Sequence, residues 1–343
     1  MKQILMIATG GTIASKPTKN GLAPQMTAAE LLRMVPELSE ICRIETVQLM
    51  NIDSTNMAPV QWLRIAACIR ENYEKYDGFV IIHGTDTMAY TSAALSYLIQ
   101  GSKKPIILTG SQKSIWLRDT DARTNLIDAF LAATDEMLPG VYLVFDGKVI
   151  CGTRARKMRS KSMNAFASID WPEAALIRER HMLYLRPLPV DLPEPVFSET
   201  LDPRIFVLRL IPGTDPAILT MLSDLYHALV IESFGVGGLP DDGNGGFLSG
   251  LTRWQEEGKP VVISTQVPHE GSDIGIYRVG RQVRDLPGVF EAHTMTPEAT
   301  VTKLMWILGK TRDLTEVRSL FYTPVAMDLL PFQPLQPNYI IVR

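Results

Sequence analysis

Two short runs, apolar at every position, do most to limit what this chain can fold into: Ile4-Leu5-Met6-Ile7-Ala8 and Phe79-Val80-Ile81-Ile82. A strand wetted on one face alternates apolar and polar residues. An unbroken run instead has the pattern of a strand covered on both faces, as in a parallel sheet between helices. Each run passes directly into a glycine-threonine motif: Thr9-Gly10-Gly11-Thr12-Ile13 after the first, His83-Gly84-Thr85-Asp86-Thr87-Met88 after the second. Both motifs therefore leave the carboxyl end of a buried strand, where open parallel sheets assemble their ligand crevice. Two threonines, a carboxylate and flexible glycine backbone meet there, which is equipment for attacking a carbonyl.

The alternation of strand and helix continues along the chain. Residues 44–49 and 105–109 read as strands beside 78–82, and residues 59–76, 87–100 and 121–134 as helices. Thr27-Ala28-Ala29-Glu30 has capping-box spacing and opens a further helix. Residues 14–24, rich in Gly, Pro and small polar side chains, read as a loop. Prolines at 187, 189, 193 and 195 interrupt the periodicity and mark a semi-rigid linker. A second alternation follows: strands at 206–210, 228–233 and 261–264, helices at 216–226, 248–256 and 297–308. The expected fold class is α/β, with a larger N-terminal, mostly parallel sheet domain flanked by helices and a smaller C-terminal α/β domain. The expected boundaries are 1–186 for the catalytic domain, 187–204 for the linker, 205–330 for the second domain and 331–343 for a tail.

A length of 343 residues suits two domains, each able to bury its own core. The formal net charge of -3 gives no electrostatic reason to expect nucleic acid or an anionic membrane as partner. No apolar stretch approaches the ~20 residues of a membrane helix. The first strand starts at residue 3 and delivers Thr12, so cleavage of a signal peptide there would remove the motif; a cytoplasmic protein is expected. Three scattered cysteines, Cys42, Cys68 and Cys151, fit neither a disulfide framework nor a metal site. No metal or other cofactor is expected.

Taken together, the two motifs resemble the L-asparaginase family, and most closely its cytoplasmic type I bacterial enzymes. The resemblance runs on through Asp53-Ser54-Thr55, Arg154-Ala155-Arg156-Lys157, Ser233-Phe234-Gly235-Val236-Gly237-Gly238 and Met295-Thr296-Pro297-Glu298-Ala299, up to about residue 320. Its implied activity is hydrolysis of the side-chain amide of L-asparagine, with Thr12 as nucleophile and an acyl-enzyme intermediate. Alone, Gly-Gly-Thr would more often close a turn or cap a helix; the second motif favours the nucleophile, with Gly10 and Gly11 letting the backbone approach a ligand. Asp86 either caps the helix after it or receives the substrate's α-ammonium group, and the two are compatible. Thr85 and Lys157 form the implied proton-handling pair. A basic run is usually a solvated surface; the Arg-x-x-Lys spacing of the family selects Lys157 over Lys161.

Ser54 and Asp53 are implied to hold the α-carboxylate, against the plainer reading of an Asx turn. Gly11, Gly110 and Ser111 are expected to line the same pocket. The loop after Ile13 lacks the tyrosine that secreted type II enzymes place beside the nucleophile. Tyr277 matches a tyrosine that type I enzymes contribute from a neighbouring protomer, and a buried structural role is nearly as good a reading. That resemblance implies a homodimer or homotetramer. Val267 and Gly238 replace a cysteine and an asparagine of the allosteric type I enzymes, so a hyperbolic response to asparagine is expected. The alternatives are a broader glutaminase-asparaginase, the ammonia-supplying component of an amidotransferase and a non-catalytic amino-acid sensor. A nucleotide site is disfavoured, since neither phosphate-binding glycine motif follows the first strand.

Overall fold

The computed structural model describes residues 1–18, 21–24, 26–187, 192–240, 246–276 and 278–330. Eight strands form the large sheet. From one edge they run Arg43–Ile52, Gln3–Gly10, Gly78–Ile82, Pro105–Thr109, Gly140–Phe145, Lys148–Cys151, Ala175–Arg178 and His181–Tyr184. The first five are mutually parallel, and the last three add an antiparallel edge. The sheet is thus mostly parallel, as expected, with an extension that apolar periodicity does not mark.

Both faces of this sheet are covered, which explains the unbroken apolar runs. Leu5, Ile7, Phe79 and Ile81 point into one core with the helices Pro59–Asn72, Met88–Leu98 and Pro297–Leu308. Ile4, Met6, Val80 and Ile82 alternate into a second core, under the helices Ala28–Arg33 and Ala122–Ala133. Thr27 caps the first of these as a full capping box with Glu30, satisfying donors that a helix start otherwise leaves free.

A four-stranded parallel sheet, Ile205–Arg209, Ala228–Ser233, Val261–Thr265 and Val289–Glu291 in that order, forms the smaller unit. Its Leu229, Ile231, Val261 and Ile263 pack with the helices Ala217–Ser223 and Gly246–Glu256. Its other face joins the main core through the helix Pro297–Leu308, all twelve residues of which are buried. A wholly buried ion pair, Lys303 Nζ to Asp328 Oδ2 at 2.6 Å, ties this helix to the segment after residue 322. Tyr97 donates to the same carboxylate at 2.9 Å, adding the neighbouring helix to the knot.

Two local expectations change. Ser15–Thr18 and Gly21–Pro24 pair as antiparallel strands where a loop was expected, with Thr18 opposite Gly21. Within the proline-rich linker, Val196–Phe197 pairs with Ile99–Gln100 and Ser198 accepts from Trp306 Nε1 at 3.0 Å, so backbone pairing pins this part to the large unit. Residues 331–343, read as a tail, lie outside the described residues, as does part of the linker.

Candidate active site

Four strand ends meet at the carboxyl edge of the large sheet, and glycines make the meeting possible. Gly10 and Gly11 have φ of 112° and 88°, a backbone region that L side chains rarely adopt. A Cβ on Gly11 would lie 2.5 Å from Gly84 N, one on Gly84 2.5 Å from Ser54 Oγ, and one on Gly110 2.1 Å from His83 O. These three positions have no room for a side chain. The register between the first two strands shifts between Ala8 and Gly10, which turns the chain out of the sheet at the motif. Thr9 Oγ1 donates to Ile82 O at 2.8 Å and locks the two motif-bearing strands together.

Thr12 begins a short 3-10 turn, Thr12–Ala14, and is half-buried. Lys157, on the short strand Ala155–Lys157, reaches across from a distant part of the chain. Its Nζ donates to Thr85 Oγ1 at 2.8 Å and to Asp86 Oδ1 at 2.6 Å. The lysine side chain is 17% exposed and the aspartate 56%, so the pair opens to solvent on the carboxylate side. Lys161 is exposed in the following loop. The basic run is therefore not one solvated surface. Arg154 is fully buried, donating from Nε to Met327 O at 2.6 Å and from Nη1 to Thr294 O at 2.7 Å.

Asp86 does not cap the following helix, Met88–Leu98. That helix starts at Thr87 without a side-chain cap, and Thr87 Oγ1 donates to Ser54 O at 2.8 Å. Ser54 is buried, and its Oγ accepts from Asp86 N at 3.3 Å, so the serine and aspartate turns share one contact. Asp53 is exposed and makes the Asx turn, accepting from Thr55 N at 2.9 Å. The Ser111 hydroxyl donates to Lys113 O within its own turn. Tyr277 lies outside the described residues.

Two side chains that stand within the strand-end motifs without an expected role of their own, Gln112 of Thr109-Gly110-Ser111-Gln112 and His83, belong to this edge. Gln112 accepts from Thr85 Oγ1 at 3.1 Å. His83 is wholly buried and completes a chain of bonds: Trp62 Nε1 lies 2.9 Å from Thr91 Oγ1, Thr91 Oγ1 2.9 Å from His83 Nε2, and His83 Nδ1 2.7 Å from Gly84 O. The indole only donates, so the threonine accepts it and donates to Nε2; the proton of the neutral imidazole is then on Nδ1. Burial lowers the His83 pKa to about 4, because the charged ring would lose its hydration. The signal for both was position: each stands within three residues of the end of a buried strand.

The family pattern described as "Asparaginase, N-terminal" matches residues 3–189, and "Glutaminase/Asparaginase C-terminal domain" matches residues 204–321. The chain belongs to the asparaginase family. It is 39% identical over 328 residues to the L-asparaginase of Thermococcus kodakarensis, covering 95% of this chain and 99% of that one. It is also 33% identical to a component of the glutamyl-tRNA(Gln) amidotransferase of Pyrococcus abyssi, covering 97% of this chain and 78% of that one. Two solved asparaginases share the fold. That of T. kodakarensis superposes with a TM-score of 0.91 at 38% identity, over 96% of this chain and 100% of that one. L-asparaginase I of Vibrio cholerae gives 0.85 at 29%, over 96% and 99%. Among the described residues, no helix is long and apolar enough to cross a membrane, and no cluster of three His, Cys, Asp or Glu has metal-binding geometry.

Proposed function

We propose that this asparaginase-family chain hydrolyses the side-chain amide of L-asparagine to L-aspartate and ammonia, with Thr12 as the nucleophile. The observation that carries the reading is the lysine contact: Lys157 Nζ touches both Thr85 Oγ1 and Asp86 Oδ1 on the turn packed against the Thr12 motif. Asp86 keeps its second carboxylate oxygen for the substrate's α-ammonium, and Ser54 and Asp53 lie on the adjoining turn for the α-carboxylate. Thr12 Oγ attacks the amide carbon, and its proton passes to the Thr85–Lys157 pair. The C–N bond then breaks, the nitrogen leaves with that proton as ammonia, and water hydrolyses the Thr12 ester to release aspartate.

The clamp on the two charged groups sets the distance to Thr12 and so measures the side chain. A glutamine carbonyl falls about one methylene beyond reach, and a displacement near 1 Å costs ~100-fold where nucleophile and acceptor must align. Ammonia release from asparagine, glutamine and buffer at equal concentration tests this reading. Preference for asparagine supports it, equal efficiency on glutamine replaces it with the broader amidase, and no release overturns it. The same reading carries a cytoplasmic homodimer or homotetramer in which Tyr277 completes a neighbour's site; activity of a monomer at assay concentration would refute that part. The rate should rise hyperbolically with asparagine, since Val267 and Gly238 stand where allosteric relatives carry cysteine and asparagine.

A further inference from the structure

The Gln112 amide is held so that it dictates the orientation of the Thr85 hydroxyl. Gln112 Nε2 donates to the Ser162 carbonyl at 3.1 Å. A carbonyl only accepts, so the amide nitrogen must face Ser162 and Oε1 must face Thr85. Lys157 as an ammonium only donates, so the Thr85 oxygen accepts from it at 2.8 Å. Thr85 has a single hydroxyl proton, and its remaining partner is Gln112 Oε1 at 3.1 Å. Each direction in this chain is fixed by the one before it.

The glutamine is itself anchored. Its backbone N–H donates to Asp121 Oδ2 at 2.9 Å, while Lys113 N donates to the other oxygen at 3.0 Å. Asn125 Nδ2 holds the same aspartate at 3.2 Å. At its far end the amide grips the loop of residues 158–164, which carries the exposed Met158, Lys161 and Met163. When the Ser162 carbonyl moves away, nothing fixes which end of the amide faces Thr85.

We infer that Gln112 is a positioning residue: it turns the Thr85 proton away from Lys157 in the resting site and couples that orientation to the 158–164 loop. The inference rests on the proposed role of Thr85 and Lys157 as the proton-handling pair. Transfer from Thr85 to the lysine then requires Lys157 first to release a proton along its bond to Asp86 Oδ1 and the hydroxyl to swing from Gln112 toward the resulting neutral amine, a rotation about one bond, and the loop's hold on the amide controls how readily it occurs. Gln112 touches neither Thr12 nor a substrate group in this scheme. Its effect is therefore confined to turnover.

The test uses the full-length protein with asparagine, each variant assayed at its own pH optimum. Gln112→Met keeps the length of the side chain and removes both bonds. It should lower kcat by about 10- to 100-fold with KM within about threefold. Gln112→Glu keeps an acceptor oxygen for Thr85 and loses the donor to Ser162; it should recover part of the lost kcat. If Gln112→Met fails to fold, Gln112→Glu and Gln112→Asn carry the test, since Asn retains both functions but withdraws the amide from Thr85; Asn should then be the slower of the two. Wild-type kcat in the Met variant, a loss carried by KM alone, or Asn faster than Glu would each overturn the inference. A wild-type protein that releases no ammonia from asparagine would instead remove the reading on which it rests.

Discussion

Lys157 Nζ stands 2.8 Å from Thr85 Oγ1 and 2.6 Å from Asp86 Oδ1, although the lysine is more than 70 residues away in sequence. One ammonium thus links a hydroxyl and a carboxylate that are neighbours on the turn after the strand Gly78–Ile82. Replacing it tests which role it has. Lys157→Met should reduce kcat by more than about 100-fold, as expected for loss of a proton-handling group, with a smaller effect on KM. Lys161→Met, in the exposed loop, should stay near wild type. Michaelis parameters for the pair decide it, and the reverse ranking would move the role to Lys161.

Thr12→Val preserves the shape of the side chain and removes its hydroxyl, so turnover should nearly vanish while the circular dichroism spectrum is kept. Thr12→Ser should retain part of the activity. A Val variant within about tenfold of wild type, a barrier change of only ~1.4 kcal/mol, would exclude Thr12 as the nucleophile.

Packing at the strand ends predicts a backbone effect. The Cβ of Gly110→Ala would fall 2.1 Å from His83 O and 2.8 Å from Met88 Cε. Main chain must move to admit it, at about 1–3 kcal/mol for an overpacked site. Urea unfolding should show that loss, and activity should fall with it because His83 O belongs to the turn that carries Thr85.

Acid stability depends on His83. The folded state holds its pKa near about 4 through burial, against about 6.5 in an unfolded chain. Between these values the unfolded state binds the proton and the folded state does not, so stability falls as pH drops through that window. Above about pH 6.5 the site costs nothing; at about pH 4.5 the loss should be about 2–3 kcal/mol. Urea midpoints at neutral pH and at the acid end of that window, compared between wild type and His83→Asn, isolate it. An equal change in the two proteins would show that His83 is charged or solvated in the fold.

Apolar pattern located the main strands, and the family resemblance supplied the roles proposed for the residues at their ends. Gly78–Ile82, Pro105–Thr109, Ala228–Ser233 and Pro297–Leu308 appear with the bounds read from the sequence; in the strands Gly78–Ile82 and Pro105–Thr109 burial on both faces leaves a nearly unbroken apolar signature in a single segment. The position of Thr12, Thr85 and Asp86 at the carboxyl ends of buried strands was legible for the same reason: each follows such a run. Whatever depends on contacts between distant segments had to wait for the packed molecule. The antiparallel edge strands 148–151, 175–178 and 181–184 and the paired strands after Thr12 are short, and cross-strand partners define them more than any pattern of their own. Read without the family resemblance, Lys157 belongs to a basic run of solvated character, and the resemblance alone selects it; the fold sets it against Thr85, while Arg154 three residues earlier goes into the core. The Gln112 amide and the His83 tautomer emerge only from donors and acceptors that the fold brings within 3.1 Å. Periodicity records which side of an element is dry; which hydrogen-bonding groups meet there is set by how the elements pack.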